Sequence, residues 1–334
     1  MMQWKDNMNI TYFHRNSKGG YSIAKVSNTF ITEFKKDLNV LEFEMPHHKA
    51  DLFSVIKNIY YIFNNRNKTG INHITGDIHY GALGLIGCKT VLTIHDLSAH
   101  ETNDSAIKRF IIKFLWFKLP LLFVNKIVCI SEETKIRLEK IVKKKEILVI
   151  PNAVDSTFSV SIKEFNTSEP TILQIGTAWN KNVKNLILAV KHIKCQLIIV
   201  GQINKELELL LNKNQINYKI RKDLSDREII EEYKNSDIVA FVSLYEGFGM
   251  PIIEANATGR AIITSNISPM NQIANDSALL VNPNNVEEIK NGIIKIINDK
   301  EYRESIINKG ILNAKKYNVE LICKQYEEVY KSLL

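Results

Sequence analysis

Two glutamates flank a glycine turn in the stretch EGFGMPIIEANATGR, which begins at Glu246. The apolar run DIVAFVS precedes this stretch, Pro251 suits the first turn of a helix, and Gly259 suits its end. The pattern therefore predicts a strand, a turn and a helix. Backbone N–H groups of the turn and of the first helical turn would point to one place, where the helix dipole favours an anion such as a diphosphate.

The second glutamate, Glu254, lies one turn into this helix, where a carboxylate beside an anion site needs a separate explanation. A ribose diol provides one, because a carboxylate accepts hydrogen bonds from both of its hydroxyl groups. Glu246 precedes the turn and is expected to lie at the other end of the ligand. The alternative is structural: Glu254 complements the helix dipole and Glu246 is a solvated loop charge.

Two lysines follow another predicted strand, in the stretch ILQIGTAWNKNVKNLILAV at 172–190. Lys181 and Lys184 come after the carboxyl end of the strand, which is where open α/β sheets bind their ligands. A lysine there can neutralise a diphosphate leaving group in place of a metal ion, whereas the alternative is a solvated cationic loop. No two aspartates are separated by one residue, so a D-x-D metal site is not supported and no metal is expected.

Short apolar runs alternate with amphipathic segments along the whole chain, which is typical of parallel strands covered by helices on both faces. A polar stretch, SVSIKEFNTSEP, separates two such series. The fold class predicted is α/β, with two Rossmann-like domains at 1–155 and 156–317 and a last helix at 318–334. No dinucleotide G-x-G-x-x-G motif or P-loop is present. The predicted strands lie at 9–13, 89–96, 126–131, 146–152, 171–176, 196–201, 237–243, 261–265 and 278–281.

The formal charge of +8 lies mostly in the first half of the chain. Residues 1–160 contain 22 Lys and Arg against 15 Asp and Glu, and residues 161–334 contain 22 against 21. This excess indicates an anionic partner of the first half. The four cysteines form no C-x-x-C pair, the N-terminus shows no secretory pattern, and no uncharged apolar stretch reaches the length of a membrane span. A cytoplasmic location is expected.

Several motifs occur here in the order typical of one family. They are TIHD at 93–96, VIPNAVD at 149–155, a strand glycine followed by K-N-L, and E-G-F-G-x-P-x-x-E. Over about residues 8–330 the sequence resembles the GT-B glycosyltransferases of the large retaining group 4, which is rich in enzymes of bacterial polysaccharide assembly. HITGDIHY at 73–80 with TIHDL indicates a branch found in surface-polysaccharide pathways. The resemblance implies two Rossmann-like domains whose parallel sheets face a central cleft, with the last helix crossing back to the first domain.

The resemblance also implies roles for the residues of the second half. Glu254 would hold the nucleotide ribose, and Glu246 would lie by the donor sugar. Lys184 would bind the diphosphate, with Lys181 as a helper. The backbone N–H groups that would contact the sugar and the phosphate belong to the turn Gly247, Phe248, Gly249 and Met250. Many members have arginine after the strand glycine, whereas here Thr177 follows Gly176, so the role of Thr177 stays open.

In the first half, the loop HRNSKGG after the first predicted strand places Gly19 and Gly20 at a helix start. In similar proteins this loop lies near the donor phosphate and the acceptor, although a plain strand-to-helix turn would look the same. His95 follows the strand KTVLTI and in the resembled family approaches the donor sugar; a buried structural histidine is the alternative. The weaker candidates are His14, His73 and His79.

The predicted function is retaining transfer of a sugar from a UDP- or GDP-linked donor to a hydroxyl of a glycan or of a lipid-diphosphate-linked acceptor. The donor is a substrate, and no cofactor is expected. The basic and apolar segment 108–126 is a candidate for contact with an anionic membrane, or else a domain helix. Basic runs such as KKK at 143–145 lack interleaved aromatic residues, so no nucleic-acid partner is expected. A nucleotide-sugar epimerase and a catalytically silent partner subunit remain the rival functions.

Overall fold

The computed structural model describes residues 8–19, 22–97, 113–142 and 146–334. The chain forms two compact units: Met1–Ala153 with Val319–Leu334, and Val154–Asn318. Each unit contains a sheet of six parallel strands. The predicted α/β class with two Rossmann-like units is therefore confirmed.

The strands of the first unit line up in the order β2-β1-β3-β4-β5-β6, and those of the second in the order β12-β11-β10-β7-β8-β9. In each sheet the order in which strands are added reverses direction once: between β1 and β3 in the first sheet, and between β7 and β10 in the second. The first sheet comprises β1 (Asn9–His14), β2 (Asn39–Glu44), β3 (Ile71–Ile74), β4 (Lys89–Ile94), β5 (Lys126–Cys129) and β6 (Ile147–Val149). The second comprises β7 (Thr171–Ile175), β8 (Gln196–Val200), β9 (Tyr218–Arg221), β10 (Ile238–Phe241), β11 (Ala261–Ser265) and β12 (Leu279–Val281).

Helices connect the strands, and short 3-10 and π-helical turns extend several of the loops. The α-helices in the described part of the chain are α1 (Ser22–Phe34), α2 (Leu52–Asn65), α3 (Leu119–Leu121), α4 (Glu132–Glu139), α5 (Val183–Val190), α6 (Lys205–Lys213), α7 (Asp226–Asn235), α8 (Met250–Thr258), α9 (Met270–Ala274), α10 (Val286–Asn298), α11 (Lys300–Ala314) and α12 (Val319–Lys331). The 3-10 turns are Ser17–Gly19, His79–Leu85, Trp179–Lys181 and Lys315–Tyr317, and Lys113–Lys118 is π-helical.

The first sheet is covered on both faces, because its strands carry apolar residues in both directions. Phe13 packs on one face in a cluster with Ile62 of α2. Its neighbour Tyr12 packs on the other face, in a cluster with Phe30 of α1 and Ile322 of α12. Successive side chains of a strand point to opposite faces, so one continuous apolar strand supplies two cores.

A buried polar network attaches the last helix to this sheet. The Tyr330 hydroxyl lies 3.0 Å from the Tyr12 hydroxyl and 2.7 Å from His73 Nδ1. His73 Nε2 lies 2.8 Å from Thr93 Oγ1, which lies 3.3 Å from the Tyr326 hydroxyl. Burial lowers the pKa of His73 to about 3, so the imidazole is neutral and links α12 to β3 and β4 as a structural group.

An extended core of the second unit lies beneath α5 and α10 and includes strand residues of β7, β8, β10 and β11. Several helices of the second unit begin at side-chain caps. Ser225 and Glu228 form a capping box at the start of α7, and Asn204 and Asn285 cap α6 and α10. These caps fix where each helix begins relative to the strand before it, and hence where the loops at the carboxyl edge lie.

Candidate functional site

The loops after β7 and β10 lie side by side in the second unit, because these two neighbouring strands mark the reversal of strand order. Connections leave the two strands in opposite directions, which opens a crevice at their carboxyl ends. Ligands of doubly wound sheets bind in such a crevice. The loop after β7 contains Lys181 and the loop after β10 contains Glu246, so the topology alone brings the predicted residues to one edge.

The turn after β10 opens a helix whose first N–H groups are not capped by a side chain. Gly249 is the N-cap residue, with φ at 118°, and makes no side-chain cap. A Cβ at this position would lie 3.1 Å from Ile252 Cδ1, so both the backbone angle and the space favour glycine. Pro251 follows in the first turn, as predicted from the sequence, and Gly259 ends the helix with φ at 70°. The amino end of α8 is thus left to other acceptors.

Phe248 anchors this turn. Its side chain is buried and meets the Tyr317 ring edge-on, with the ring centroids 5.8 Å apart. Met250 is half-buried beside it. The side chain of Phe248 is therefore used for packing, and what this turn can offer a ligand is its backbone, as the resemblance implied for Gly247, Phe248 and Gly249.

Glu254 is a buried carboxylate with a fixed partner. Its residue is 9% exposed, and the Tyr233 hydroxyl donates to Oε2 at 2.6 Å. Tyr233 is fully buried and meets Phe158 edge-on at 5.4 Å. Burial first, and then the neighbouring Glu254 charge, raise the pKa of Tyr233 well above its ordinary value, so it remains a donor. Sequence reasoning missed Tyr233, which lies 21 residues before the glutamate.

Lys181 and Glu246 form an ion pair across the two loops. Lys181 Nζ donates to Glu246 Oε1 at 2.6 Å, and both side chains are mostly buried. The stem of Lys181 covers Gly176, whose φ is 83°; a Cβ there would lie 3.2 Å from Lys181 Cε. The glycine after β7 therefore allows the lysine to fold back toward the loop after β10.

Two asparagines, which sequence reasoning also missed, fix the relative position of these loops. Asn180 Nδ2 donates to the carbonyl of Tyr245 at 2.8 Å. Asn182 has φ at 57° and donates to the carbonyls of Val242 at 3.0 Å and Pro283 at 2.7 Å. The only signal in the sequence was the pair of asparagines in WNKN, since asparagine tolerates positive φ better than most residues.

The structure does not bring Lys184 into this pair. Its side chain is 60% exposed, against 20% for Lys181, and its Nζ lies 3.2 Å from Glu206 Oε1. Thr177, where many relatives were expected to carry arginine, donates from Oγ1 to the carbonyl of Gln202 at 2.5 Å and so joins the loops after β7 and β8.

In the first unit, His95 lies just after β4 and is buried. Its Nε2 lies 2.7 Å from the carbonyl oxygen of Thr75, so Nε2 carries the proton and Nδ1 is the acceptor of the ring. Burial lowers the pKa of His95, so the ring is neutral near pH 7. Gly76 passes directly beneath it with φ at 134°. A neutral His95 can accept a hydrogen bond from a hydroxyl at Nδ1, but it carries no positive charge with which to stabilise an anion.

The weaker histidine candidates have structural surroundings. His14 Nδ1 lies 3.1 Å from Thr75 Oγ1, and its Nε2 is 3.2 Å from Glu42 Oε2 without the alignment of a hydrogen bond. His79 is buried against Phe117. Gly19 ends the 3-10 turn after β1, and Gly20 lies outside the described residues.

A cavity of about 730 Å³ lies in the first unit beside the loops after β1 and β3. Apolar side chains of α2 form one wall, and Trp116 closes another. Arg15 and Asp77 form an ion pair at its polar end, and the Trp116 Nε1–H donates to the carbonyl of Asp77 at 3.3 Å. The lining of the cavity includes Arg15, Lys49, Leu52, Ile56, Asp77 and Trp116.

The described residues contain neither a metal-binding cluster nor a membrane-spanning helix. No group of three or more His, Cys, Asp or Glu side chains is placed to hold a metal ion within these ranges. None of the helices described above has both the length and the apolar character needed to cross a membrane.

Comparisons with known proteins agree with this architecture. The model of Glycosyltransferase Family 4 matches residues 51–158, and that of Glycosyl transferases group 1 matches residues 155–312. An uncharacterized glycosyltransferase of Methanocaldococcus jannaschii is 27% identical over 311 residues, which is 88% of this chain and 86% of that protein. The N,N'-diacetylbacillosaminyl-diphospho-undecaprenol alpha-1,3-N-acetylgalactosaminyltransferase of Campylobacter jejuni is 22% identical over 331 residues, 89% of this chain and 86% of its own.

Among solved structures, Anabaena HepE in complex with UDP-glucose is similar, with a TM-score of 0.79 at 16% identity. The match covers 98% of this chain and 100% of HepE. This likeness supports the fold, and the two family models meet at the boundary between the structural units near residue 154. The chain therefore belongs to the GT-B glycosyltransferases, with a family 4 segment in its first half and a group 1 domain in its second half.

Proposed function

We propose that this glycosyltransferase moves a sugar from a nucleoside-diphosphate donor to a glycan or lipid-diphosphate-linked hydroxyl during bacterial surface-polysaccharide synthesis, with retention of anomeric configuration. One observation carries the proposal. The uncapped amino end of α8, the Lys181–Glu246 pair and the buried Glu254 carboxylate all belong to one edge of the second sheet. Together they offer an anion site beside an acceptor for hydroxyl groups.

The donor would use these groups in sequence. Glu254 accepts hydrogen bonds from the ribose diol while Tyr233 holds its other oxygen. The diphosphate lies at the amino end of α8, where the N–H groups near Gly249 and the Lys181 ammonium meet it. Lys184 contributes a second, more exposed cation by leaving Glu206, because an ion pair between two exposed side chains is weak. Glu246 then faces the sugar.

In the proposed reaction, the bond between the anomeric carbon and the leaving phosphate oxygen breaks through an oxocarbenium-like state. The acceptor hydroxyl attacks the same face, and its proton passes to the departing diphosphate. The protein contributes position and electrostatic stabilisation of the leaving group, and in many enzymes such stabilisation accounts for much of the rate enhancement. We propose that His95 lies near the donor sugar, as the resemblance implies, and that Nδ1 of its neutral ring accepts a hydrogen bond there.

The acceptor side of the proposal rests on the first unit. The Campylobacter relative is named for a diphospho-undecaprenol substrate, and HepE was solved with UDP-glucose. The cavity beside α2 combines an apolar wall with Arg15 and Lys49, which fits an acceptor that carries both hydrocarbon and phosphate. A cytoplasmic protein at the inner face of the membrane would meet such an acceptor. The predicted segment 108–126 is described from residue 113 onward, where it forms the π-helical turn Lys113–Lys118 and α3 and buries Phe117 and Leu121.

A panel of UDP- and GDP-linked sugars screened by thermal shift tests the proposal. A donor at 100 times its Kd raises the free energy of unfolding by about 2.7 kcal/mol, which is a shift of several degrees. We expect one nucleotide family to stabilise the protein, and Glu254→Ala to weaken that stabilisation. Stabilisation by none of the nucleotides, in a protein that is folded, would contradict the proposal.

A further inference from the structure

Helix α2 has an inverted pattern of polarity. Its inward positions include Ser54 and Asn58, both buried. The Ser54 hydroxyl donates to Asp51 at 2.8 Å, and Asn58 Nδ2 donates to the carbonyl of His47 at 2.9 Å and to the Tyr80 hydroxyl at 2.8 Å. An ordinary surface helix buries its apolar stripe and exposes its polar one. In α2, polar groups occupy part of the buried stripe and are satisfied there.

The outward face of α2 is apolar instead. Five large side chains on it are between 47% and 73% exposed, and four of them recur at helical spacing of three and four residues. Contiguous exposed apolar surface on a folded unit indicates an interaction site, whereas scattered apolar residues do not. The side chains are Leu52, Phe53, Ile56, Tyr60 and Phe63, here called the α2 outer face.

The charges along α2 and its flanks are mostly positive. Lys57 Nζ lies 4.1 Å from the centroid of the Phe53 ring, and the Arg66 guanidinium lies 3.5 Å from that of Phe63. Lys49 and Lys68 flank the helix, and between residues 47 and 70 Asp51 is the only acidic residue, already used as the N-cap. Basic side chains beside exposed apolar ones on a single helix are typical of a helix lying in the interface of an anionic bilayer.

We propose that the α2 outer face is the surface by which this enzyme lies on an anionic membrane. The inference rests on the proposed function only for the reason why the enzyme would bind a membrane. Leu52 and Ile56 also line the cavity suggested for the lipid-linked acceptor. A lipid-linked acceptor could then pass from the bilayer to the cavity along one helix. A second copy of the chain is a poorer occupant, since pairing two such faces would bring Lys49, Lys57, Arg66 and Lys68 of both copies together.

Co-sedimentation of the full chain with vesicles tests this surface without donor or acceptor. Vesicles of phosphatidylcholine with phosphatidylglycerol are compared with vesicles of phosphatidylcholine alone. We expect binding to the anionic vesicles that weakens with salt. The triple variant Phe53→Ser, Ile56→Ser, Phe63→Ser should lower the partition coefficient by at least about tenfold, since one large apolar side chain transferred from water is worth about that much.

A second variant changes charge alone. Lys57→Gln with Arg66→Gln should lower binding to anionic vesicles by about fivefold for each cation removed, and should not change binding to neutral vesicles. The matched control is Leu209→Ser with Leu312→Ser, which removes two side chains that are each 60% exposed in the second unit. This control should bind as the unchanged protein does.

Three results would overturn the proposal: no binding of the unchanged protein to anionic vesicles, undiminished binding of the triple variant, or a concentration-dependent dimer that the triple variant abolishes. The donor-induced thermal shift is measured on the same proteins. Its retention in the triple variant shows a folded enzyme, and its absence from the unchanged protein would count against the proposed donor site and leave the membrane surface to its own test.

Discussion

The proposed ribose contact of Glu254 can be tested by changing the protein and the ligand together. The perturbations are Glu254→Ala in the enzyme and removal of the 2′ or 3′ hydroxyl group from the nucleoside diphosphate that the donor screen selects. A hydrogen bond to a charged group contributes about 1.5–3 kcal/mol. Loss of one hydroxyl should therefore weaken binding to the unchanged enzyme by about 10- to 150-fold.

The same deoxy ligand should lose almost nothing more in the Glu254→Ala variant, because the partner of the missing hydroxyl is already absent. Isothermal titration calorimetry of the four combinations gives the coupling free energy directly. We expect about 1.5–3 kcal/mol for the better-placed hydroxyl. Equal discrimination between ribose and deoxyribose by both proteins would refute the assigned role, whatever the loss of raw affinity.

Tyr233→Phe is the control for structure. It removes the 2.6 Å hydrogen bond to Glu254 Oε2 and leaves a carboxylate oxygen of a buried residue without that donor. The expected cost is about 1–3 kcal/mol of unfolding free energy, or several degrees in Tm. Discrimination against the deoxy ligand should remain. Loss of stability without loss of discrimination would separate the packing role of this pair from its binding role.

The remaining predictions concern three other features. Lys181→Met should lower kcat/KM by about 10²–10³-fold in initial-rate assays, because it removes a mostly buried cation from the proposed leaving group. Lys184→Met should lower it less, since this ammonium is exposed, and equal losses would contradict that ranking. Gly249→Ala places a side chain at a φ of 118°, which introduces about 1–3 kcal/mol of strain and should lower both Tm and donor affinity. An unchanged Tm and an unchanged affinity would refute the strained-turn argument. The pKa of His73 is lowered from 6.5 to about 3, so between these pH values the unfolded chain binds a proton that the folded protein does not. The free energy of unfolding should therefore fall as the pH drops below 6.5, and this group should account for about 2 kcal/mol of the loss at pH 5. Chemical denaturation against pH should show a smaller slope in His73→Gln, and an unchanged slope would contradict the assignment.

The sequence predicted the fold where strands are continuous apolar runs and missed strands of two other kinds. At the sheet edges, β2 and β9 alternate apolar and polar residues over a few positions and carry little apolar signal. In the centre of the first sheet, β3 contains Asn72 and His73. The partners of His73 include Tyr330, 257 residues away in sequence, so its burial cannot be recognised locally.

The candidate site likewise contains some residues whose roles could be predicted from the sequence and others whose roles could not. The turn at Gly249 and the carboxylate at Glu254 were predictable because glycine, proline and glutamate stand at fixed offsets within one turn and helix. The choice between Lys181 and Lys184 was not. Both follow β7 by a few residues, and what distinguishes them is the path of the loop over Gly176 toward Glu246, which depends on strand order. Tyr233 carries no motif at all, because its function is to satisfy one buried oxygen.

A crystal structure of the enzyme with its nucleoside diphosphate would decide whether the proposed donor site is correct. We expect the diphosphate at the amino end of α8, within hydrogen-bond distance of Lys181 Nζ and of backbone N–H groups near Gly249. We expect the ribose hydroxyls on Glu254. A nucleotide bound with its ribose away from Glu254, or with its phosphates away from the loops after β7 and β10, would contradict the proposed site.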